Sequence, residues 1–312
     1  MKDTYNIQDI MHGYARWLNE TSRKTSVIHT GFVELDKLGG FSNGLNIIGS
    51  RPAVSKPSLV ASMIVNLALM GRRIALLWYG NYDNQRMWMR YIAENICRIE
   101  GIDLSQDRPD EWKKLDNVQL DKYHIYLHQF RFLADLELSV LDLTMCENVN
   151  YIFVDCLQDI HMDGMMFSPS ELRFNPNLFE TNIVCKRLKL LSSQIDRPVI
   201  VLSQLNKRPK QERGTNRELP QIQDIRDCDI AEDYADNIYL LYQSESDNTV
   251  VDIDEQDVCK IKVVVQKNKN GHMDIIELKR RNHCVYSTDY PYSEVIAEEN
   301  KKREKEYEDL PF

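Results

Sequence analysis

The sequence predicts an α/β fold: a mostly parallel central sheet with helices on both faces, closed by a C-terminal antiparallel hairpin. Three observations carry this prediction. Runs of continuous apolar residues, such as RIALLWY (73–79), YIFVD (151–155) and PVIVLSQ (198–204), alternate with helical patterns. Strands without polar alternation belong to a parallel sheet buried on both faces. The segment GSRPAVSKPS (49–58) joins one such strand to an apolar helix. Late in the chain, CKIKVVVQKN (259–268) and MDIIELK (273–279) flank Asn270-Gly271, a strong hairpin-turn signal.

The elements follow in order. Ile7, Ile10, Met11, Tyr14 and Leu18 recur at helical spacing over residues 5–20, with Asp3 or Thr4 as cap. Polar NETSRKTS (19–26) separates this helix from the rest, so residues 1–29 are expected to form an N-terminal arm. The core is expected over 30–288. LNIIG (45–49) predicts a strand, SLVASMIVNLALM (58–70) a buried helix, RIALLWY a strand and NQRMWMRYIAENICRI (84–99) an amphipathic helix. A polar connection over 101–121 leads to the strand HIYLH (124–128), and a helix follows over about 133–146. After YIFVD come a long loop, a helix over about 178–194, and the strands PVIVLSQ and NIYLLYQ (237–243). Residues 289–312 mix charge blocks without apolar periodicity, which predicts a solvated tail.

Composition sets the outer limits. With 312 residues, 43% hydrophobic and 28% charged, wholesale disorder is excluded. The net charge of −9 argues against a protein that coats nucleic acid without specificity, but leaves room for a local basic loop. No apolar run approaches the roughly 18 residues that span a bilayer. The start lacks a basic region followed by an apolar one, so a cytoplasmic protein is expected. Seven scattered cysteines without a CxxC pair read as reduced core thiols. His124 and His128 have metal-ligand spacing only on a helix, and their segment alternates like a strand, so no metal site is expected.

The most informative segment is 49–58. A phosphate-cradling loop of the form G-x-x-x-x-G-K-[ST] sits between a strand and a helix. Its backbone N–H groups hold phosphate oxygens, its Lys reaches the outer phosphates and its hydroxyl binds Mg²⁺. Here the frame reads Ser50, Arg51-Pro52-Ala53-Val54, Ser55, Lys56, Pro57, and Lys56 alone is intact. Ser55 places a Cβ where the loop is expected to need positive φ. Pro57 lacks both the N–H and the hydroxyl. Ser58 has a hydroxyl one position too late.

With these residues in place, the chain from about Thr30 to Tyr286 resembles the C-terminal motor domain of DnaB-type replicative helicases, hexameric RecA-like ATPases. TGFVELDKLGGFSNG (30–44) is similar to the TGF-x-x-LD entry and GF-x-x-G turn of that family, and Arg51-Pro52 to the dipeptide within its loop. YIFVDCLQDI (151–160) resembles its Walker B strand and RPVIVLSQLNK (197–207) its sensor strand. QDIRDCDIAEDYADNIYLLY (223–242) resembles its DNA-loop motif, and QKNKNG (266–271) its K-x-R-N-G hairpin. The resemblance implies a RecA-like P-loop NTPase fold, ATP with Mg²⁺, single-stranded DNA, replication proteins and self-association into a ring.

The same resemblance assigns roles. Asp155 stands as the Walker B carboxylate, Gln204 as the sensor amide and Arg226 as a retained DNA-loop residue, while Lys267 and Lys269 join Ser50, Arg51, Ser55, Lys56, Pro57 and Ser58 as the degenerate nucleotide-binding set. The water-activating Glu is replaced by Asn81, and the arginine finger donated to a neighbour by Lys269. An amide cannot take a proton as a carboxylate does, and Lys lacks the guanidinium fork. Asp229 replaces the Gly of the DNA-loop motif. Lys207, Arg208, Lys210 and Arg213, where the central-channel loop of the family lies, and Arg226 of the DNA-loop motif are the candidate DNA contacts. The end YEDLPF resembles the acidic tip of bacterial single-stranded DNA-binding proteins, which nominates Asp309, Pro311 and Phe312 as a partner-binding tail. No separate N-terminal collar domain such as full-length DnaB proteins carry is expected within this sequence. The leading expectation is a DnaB-like protein that binds nucleotide weakly or not at all and acts through DNA or replication proteins. A working helicase subunit with a divergent loop, and an interaction protein binding neither nucleotide nor DNA, stay open beside it.

Overall fold

The computed structural model describes residues 27–52, 54–80, 82–102, 112–163, 175–206, 219–244, 250–252 and 255–287. The N-terminal helix expected over 5–20, the loop bearing Lys207, Arg208, Lys210 and Arg213, position 81 and the tail bearing Asp309, Pro311 and Phe312 lie outside these residues.

A short helix α1 (Val33–Lys37) precedes β1 (Leu45–Ser50), α2 (Lys56–Leu69), β2 (Ile74–Tyr79) and α3 (Tyr82–Ile99). Two 3₁₀ turns lead to β3 (Ile125–Phe130), α4 (Leu133–Cys146) and β4 (Tyr151–Asp155). Then come α5 (Pro176–Ile195), β5 (Val199–Gln204), α6 (Ala231–Tyr234) and β6 (Asn237–Tyr242). The last strands are β7 (Val250–Asp252), β8 (Glu255–Asn268), β9 (Ile275–Arg281) and β10 (Cys284–Ser287). They form one sheet in the order β10-β9-β8-β6-β1-β5-β4-β2-β3, with β7 paired to β8. The six strands from β6 to β3 are mutually parallel; β8, β9 and β10 add antiparallel strands beyond β6.

Within the described residues the expected strands and helices all form, with ends shifted by a few residues. The expected hairpin is β8–β9, and its second strand continues into β10, for which the sequence offered no signal. Helices cover both faces. One core layer packs α2 and α3 against Ile48, Leu76, Phe153, Tyr239, Ile261 and Leu278. The other packs α4 and α5 against Ile47, Leu77, Val154, Val201 and Leu240. These alternate residues of the same strands face opposite layers, which is why the strands read as unbroken apolar runs. All seven cysteines are free thiols and five are buried.

The entry segment locks itself to the sheet. Asp36 accepts hydrogen bonds from the Thr30 N–H at 2.6 Å and the Thr30 hydroxyl at 2.7 Å. Gly31, at φ +89°, lies against the Met63 backbone of α2, where a Cβ would come within 3.0 Å of the Met63 carbonyl oxygen. The Gly40 carbonyl accepts from Asn237 at 3.0 Å and from the Tyr239 hydroxyl at 2.6 Å. Phe41 is fully buried, edge-on to Tyr151, Phe153 and Tyr239 with ring centroids 5.8–6.5 Å apart. Among the described residues, no helix is long and apolar enough to cross a membrane.

Phe41 therefore joins the entry segment to two strands, β4 and β6, at one point. Replacing a buried Phe by Ala costs about 3–5 kcal/mol through lost transfer energy and the cavity left behind. Phe41→Ala should lower the unfolding free energy by that amount, read as a lower urea midpoint with an unchanged slope.

Candidate functional site

Parallel strands all end on one edge, and the candidate residues of β1, β4 and β5 meet there. Ser50 closes β1 opposite Gln204, the last residue of β5, and Asp155 closes β4 opposite Trp78 of β2. The loop after Ser50 runs into α2, whose first residue is Lys56. Lys56 is buried at 7% exposure, and its Nζ donates to the Ser203 carbonyl at 2.9 Å. Asp155 lies within electrostatic reach of Lys56 and accepts from the Trp88 indole N–H at 3.2 Å. Burial pushes the Asp155 carboxyl above the usual carboxylate range, against the pull of the Lys56 ammonium and the indole N–H.

The loop itself departs from expectation at one point. Ser55 adopts φ −18° and ψ 56°, so it avoids the positive φ at which its Cβ would be strained. Its hydroxyl accepts a hydrogen bond from Arg280 of β9. Pro57 stands in the first turn of α2, a position where its missing N–H leaves no broken helix bond. Ser58 is fully buried and its hydroxyl has no hydrogen-bond partner. Arg51 leaves the loop sideways to pair with Asp224 at 3.5 Å.

A polar web continues from Gln204. Its backbone N–H donates to Gln158 Oε1 at 3.0 Å, and its side-chain oxygen accepts from Arg226 at 3.1 Å. Gln158 also donates to the Ser203 hydroxyl at 3.0 Å and the Arg226 carbonyl at 2.7 Å. Arg226 pairs with Asp227 at 3.2 Å. Gln204 and Arg226, far apart in the sequence motifs that carry the resemblance, are thus one hydrogen-bonded unit.

Lys267 and Lys269 sit elsewhere. The Lys267 ammonium donates to the Glu232 carbonyl at 2.5 Å. Lys269 Nζ lies 2.9 Å from Asp236, which also holds Lys189. The Lys269 N–H donates at 2.9 Å to Asn237, opposite Asn46 near the start of β1. About 13 Å of strand separates Asn46 from Ser50 at roughly 3.3 Å per residue. Lys269 therefore occupies the sheet edge opposite its own loop. Among the described residues no group of three or more His, Cys, Asp or Glu is placed to hold a metal ion, and His128 lies on β3 with its Nε2 2.8 Å from the Ser139 hydroxyl.

Two residues central to this geometry were missed from sequence. Asp236 bonds the Leu45 N–H at 3.0 Å besides its two lysines, and Gly44 permits this because a Cβ there would lie 1.8 Å from the carboxylate. Arg280 reaches the loop from β9. Its alternation with Ile276 and Leu278 along IIELKRR was the available signal, since residues two apart on a strand share a face.

A strand–loop–helix junction at the carboxyl edge of a parallel sheet, with a Lys opening the helix and an Asp ending a neighbouring strand, defines a RecA-like domain of the P-loop ATPase class. The sequence matches the DnaB-like helicase C terminal domain over residues 27–287, and the chain belongs to that family. It is 25% identical over 283 residues to the replicative DNA helicase DnaB of Geobacillus stearothermophilus, covering 88% of this chain and 59% of that protein. It is 28% identical over 251 residues to DnaB of Helicobacter pylori strain 26695, covering 76% and 49%. The chain thus spans about half to three-fifths of the length of these relatives. Two solved structures share the fold at 17% identity. A DnaB-like replicative helicase, described with its interactions with primase, gives a TM-score of 0.63 over 89% of this chain and 65% of its own. The ATPase domain of G40P gives 0.64 over 88% and 95%.

The Asp236 triad generates a pH dependence. Burial raises its carboxyl, but the Lys189 and Lys269 ammoniums outweigh burial and hold it below the usual range. A depressed folded pKa means stability that is present above the unfolded value of about 3.9 and lost as pH falls through the folded one. Asp236→Asn should destabilise the protein by about 1–3 kcal/mol at pH 7. It should also flatten the acid limb of the stability–pH curve, read by urea titration between pH 3 and 7.

Proposed function

We propose that this chain is a DnaB-family motor domain that has lost efficient ATP hydrolysis and acts by binding single-stranded DNA or replication proteins, in a self-associated ring. The observation that carries this reading is Pro57, in the first turn of α2 where the family presents its magnesium-binding hydroxyl. The neighbouring hydroxyl, Ser58, is buried inside the domain and offers no substitute. The residues present therefore do not fit a magnesium–ATP complex held in the family's manner, and they support no hydrolytic step. Asn81 and Lys269 add two further chemical deficits. Loss of a general base costs about 10²–10⁴ in rate. Loss of an arginine finger costs about 10³–10⁵ in other phosphoryl-transfer systems. The losses need not add, because such residues act as a unit.

A second reading, a working helicase subunit with a divergent loop, draws on Lys56, Asp155 and Gln204 meeting at one sheet edge. Strand separation driven by ATP distinguishes the two. The purified protein should turn over ATP well below about 1 s⁻¹, the lower end of ordinary enzymes. The combined Ser55→Gly, Pro57→Thr and Asn81→Glu variant should gain nucleotide affinity. Turnover above that rate by the unmodified chain sinks the proposal.

The DNA contact is assigned to the basic segment NKRPKQERGTNR (206–217), which enters directly from Gln204 and Asn206 and returns to Asp224 and Arg226. Each phosphate contact on a single strand contributes about 0.7 to the salt slope of binding. Reversing the charges of Lys207, Arg208 and Lys210 together should weaken oligonucleotide binding and lower that slope by roughly 2. Anisotropy titrations at several salt concentrations measure both, and an unchanged slope removes the loop from the interface.

A further inference from the structure

One face of α5 acts as a rail for the segment that returns from the basic loop. Asn175, at the start of the helix, donates to Asp227 at 3.3 Å, and Asn182 donates to Asp229. Further along, the Lys186 ammonium lies 5.4 Å from the centre of the Tyr234 ring, and Lys189 holds Asp236. Asn182, Lys186 and Lys189 share this face through helical spacing, and Cys185 stands on it between them. Cys185 meets Cys228, which lies 43 residues later in the chain. The Cys185 thiol donates a hydrogen bond to the Cys228 sulfur, and both residues belong to one buried cluster. Both are free thiols.

The two sulfurs are not equivalent. Cys185 is completely buried within a helix, whereas Cys228 is 5% exposed and lies outside helix and strand, next to Asp227 at φ +53°. Cys228 accepts from the Cys185 thiol and from the N–H groups of Ile230 and Ala231. The bond from Cys185, aided by these N–H groups, holds the Cys228 thiol below its usual range against burial and the Asp229 charge. The same donation, together with burial, pushes the Cys185 thiol up. One sulfur is thus prepared as a thiolate and the other is kept beside it as a thiol. Elsewhere burial pushes up Cys97, Cys156 and Cys284, and Asp142 pushes up Cys146.

We propose that Cys228 and Cys185 are a peroxide-reactive pair, Cys228 reacting first and Cys185 resolving it into a disulfide that clamps residues 222–236 to α5. The oxidant is hydrogen peroxide, a molecule little larger than water. The Cys228 thiolate attacks one peroxide oxygen; the S–O bond forms, the O–O bond breaks, and hydroxide leaves, taking up the proton that Cys228 gave as water forms. The Cys185 sulfur then attacks the Cys228 sulfenic acid; the S–S bond forms, the S–O bond breaks, and a second water leaves with the Cys185 proton. Two electrons pass from the two sulfurs to one peroxide, and a thiol reductant reverses the change. The bridge closes a loop that contains β5 and the basic segment 206–217. Arg226, two residues from Cys228 and bonded to Gln204, is fixed with it. The chemistry requires neither nucleotide nor DNA.

The test treats the full chain, reduced and then freed of reductant, with a small molar excess of hydrogen peroxide. Remaining thiols are blocked with iodoacetamide and the peptides are mapped by mass spectrometry without reduction. A peptide pair joined through Cys185 and Cys228 should be the main cross-link and should vanish after dithiothreitol. Oxidation should raise Tm by about 5 °C or more, the scale expected for closing a loop of this length. In Cys185→Ser the resolving thiol is gone, so Cys228 should accumulate as a sulfenic acid that dimedone captures. In Cys228→Ser, Cys185 should stay unlabelled. Should either variant fail to fold, the mapping and melting of the unaltered chain carry the test. No link between Cys185 and Cys228, a main link joining Cys97 to Cys284, dimedone on Cys185 in Cys228→Ser, or an oxidised chain that melts at or below the reduced one overturns the proposal.

Discussion

The direction of six parallel strands is the constraint on which the rest of this molecule depends. Strands that run the same way deliver every strand-to-helix loop to one edge of the sheet. Residues as distant in sequence as Lys56, Asp155 and Gln204 then meet without any contact designed for each pair. β1 lies between β5 and β6 with nearly every residue in register on both sides. A one-residue slip would exchange the faces of Ile47 and Ile48, which serve opposite core layers. The position of the loop is thus as well determined as the packing of the core.

Charge is organised around this edge in pairs. Arg51 turns to Asp224, Lys56 to the Ser203 carbonyl beside Asp155, and Arg226 to Gln204 and Asp227. These contacts link the loop after β1 to the segment that returns from the basic loop, through Asn206 N–H to the Asp224 carbonyl at 2.7 Å. A change at the loop after β1 therefore has a short, hydrogen-bonded route to Asn206 and Asp224, which flank the basic segment in sequence. The fold makes this coupling available whatever the rate of the chemistry.

Much of the architecture was legible because burial on both faces writes itself as apolar runs. RIALLWY and YIFVD announce strands without any template. The carboxyl-edge cluster was legible through motif order. What escaped was short or long-range. β10 is four residues, CVYS, entered by a turn at Asn282 with φ +53°, too brief for periodicity to register. Ser55 was expected to resist its loop, yet a sequence does not reveal that a backbone can avoid positive φ. Arg280 and Asp236 act on partners 225 and 191 residues away, Ser55 and Leu45. No local pattern encodes such a meeting; the strand register creates it.

The opposed placement of Lys56 and Lys269 has a consequence for symmetry. One lies at the carboxyl edge of the sheet and the other at the amino edge, so one copy cannot bring them together. An interface that joins them must unite unlike surfaces of two copies, and each copy then keeps one unsatisfied surface for the next. Such contacts have no internal two-fold axis and do not stop at a dimer. Their angle alone decides whether the series closes into a ring or winds on as a filament.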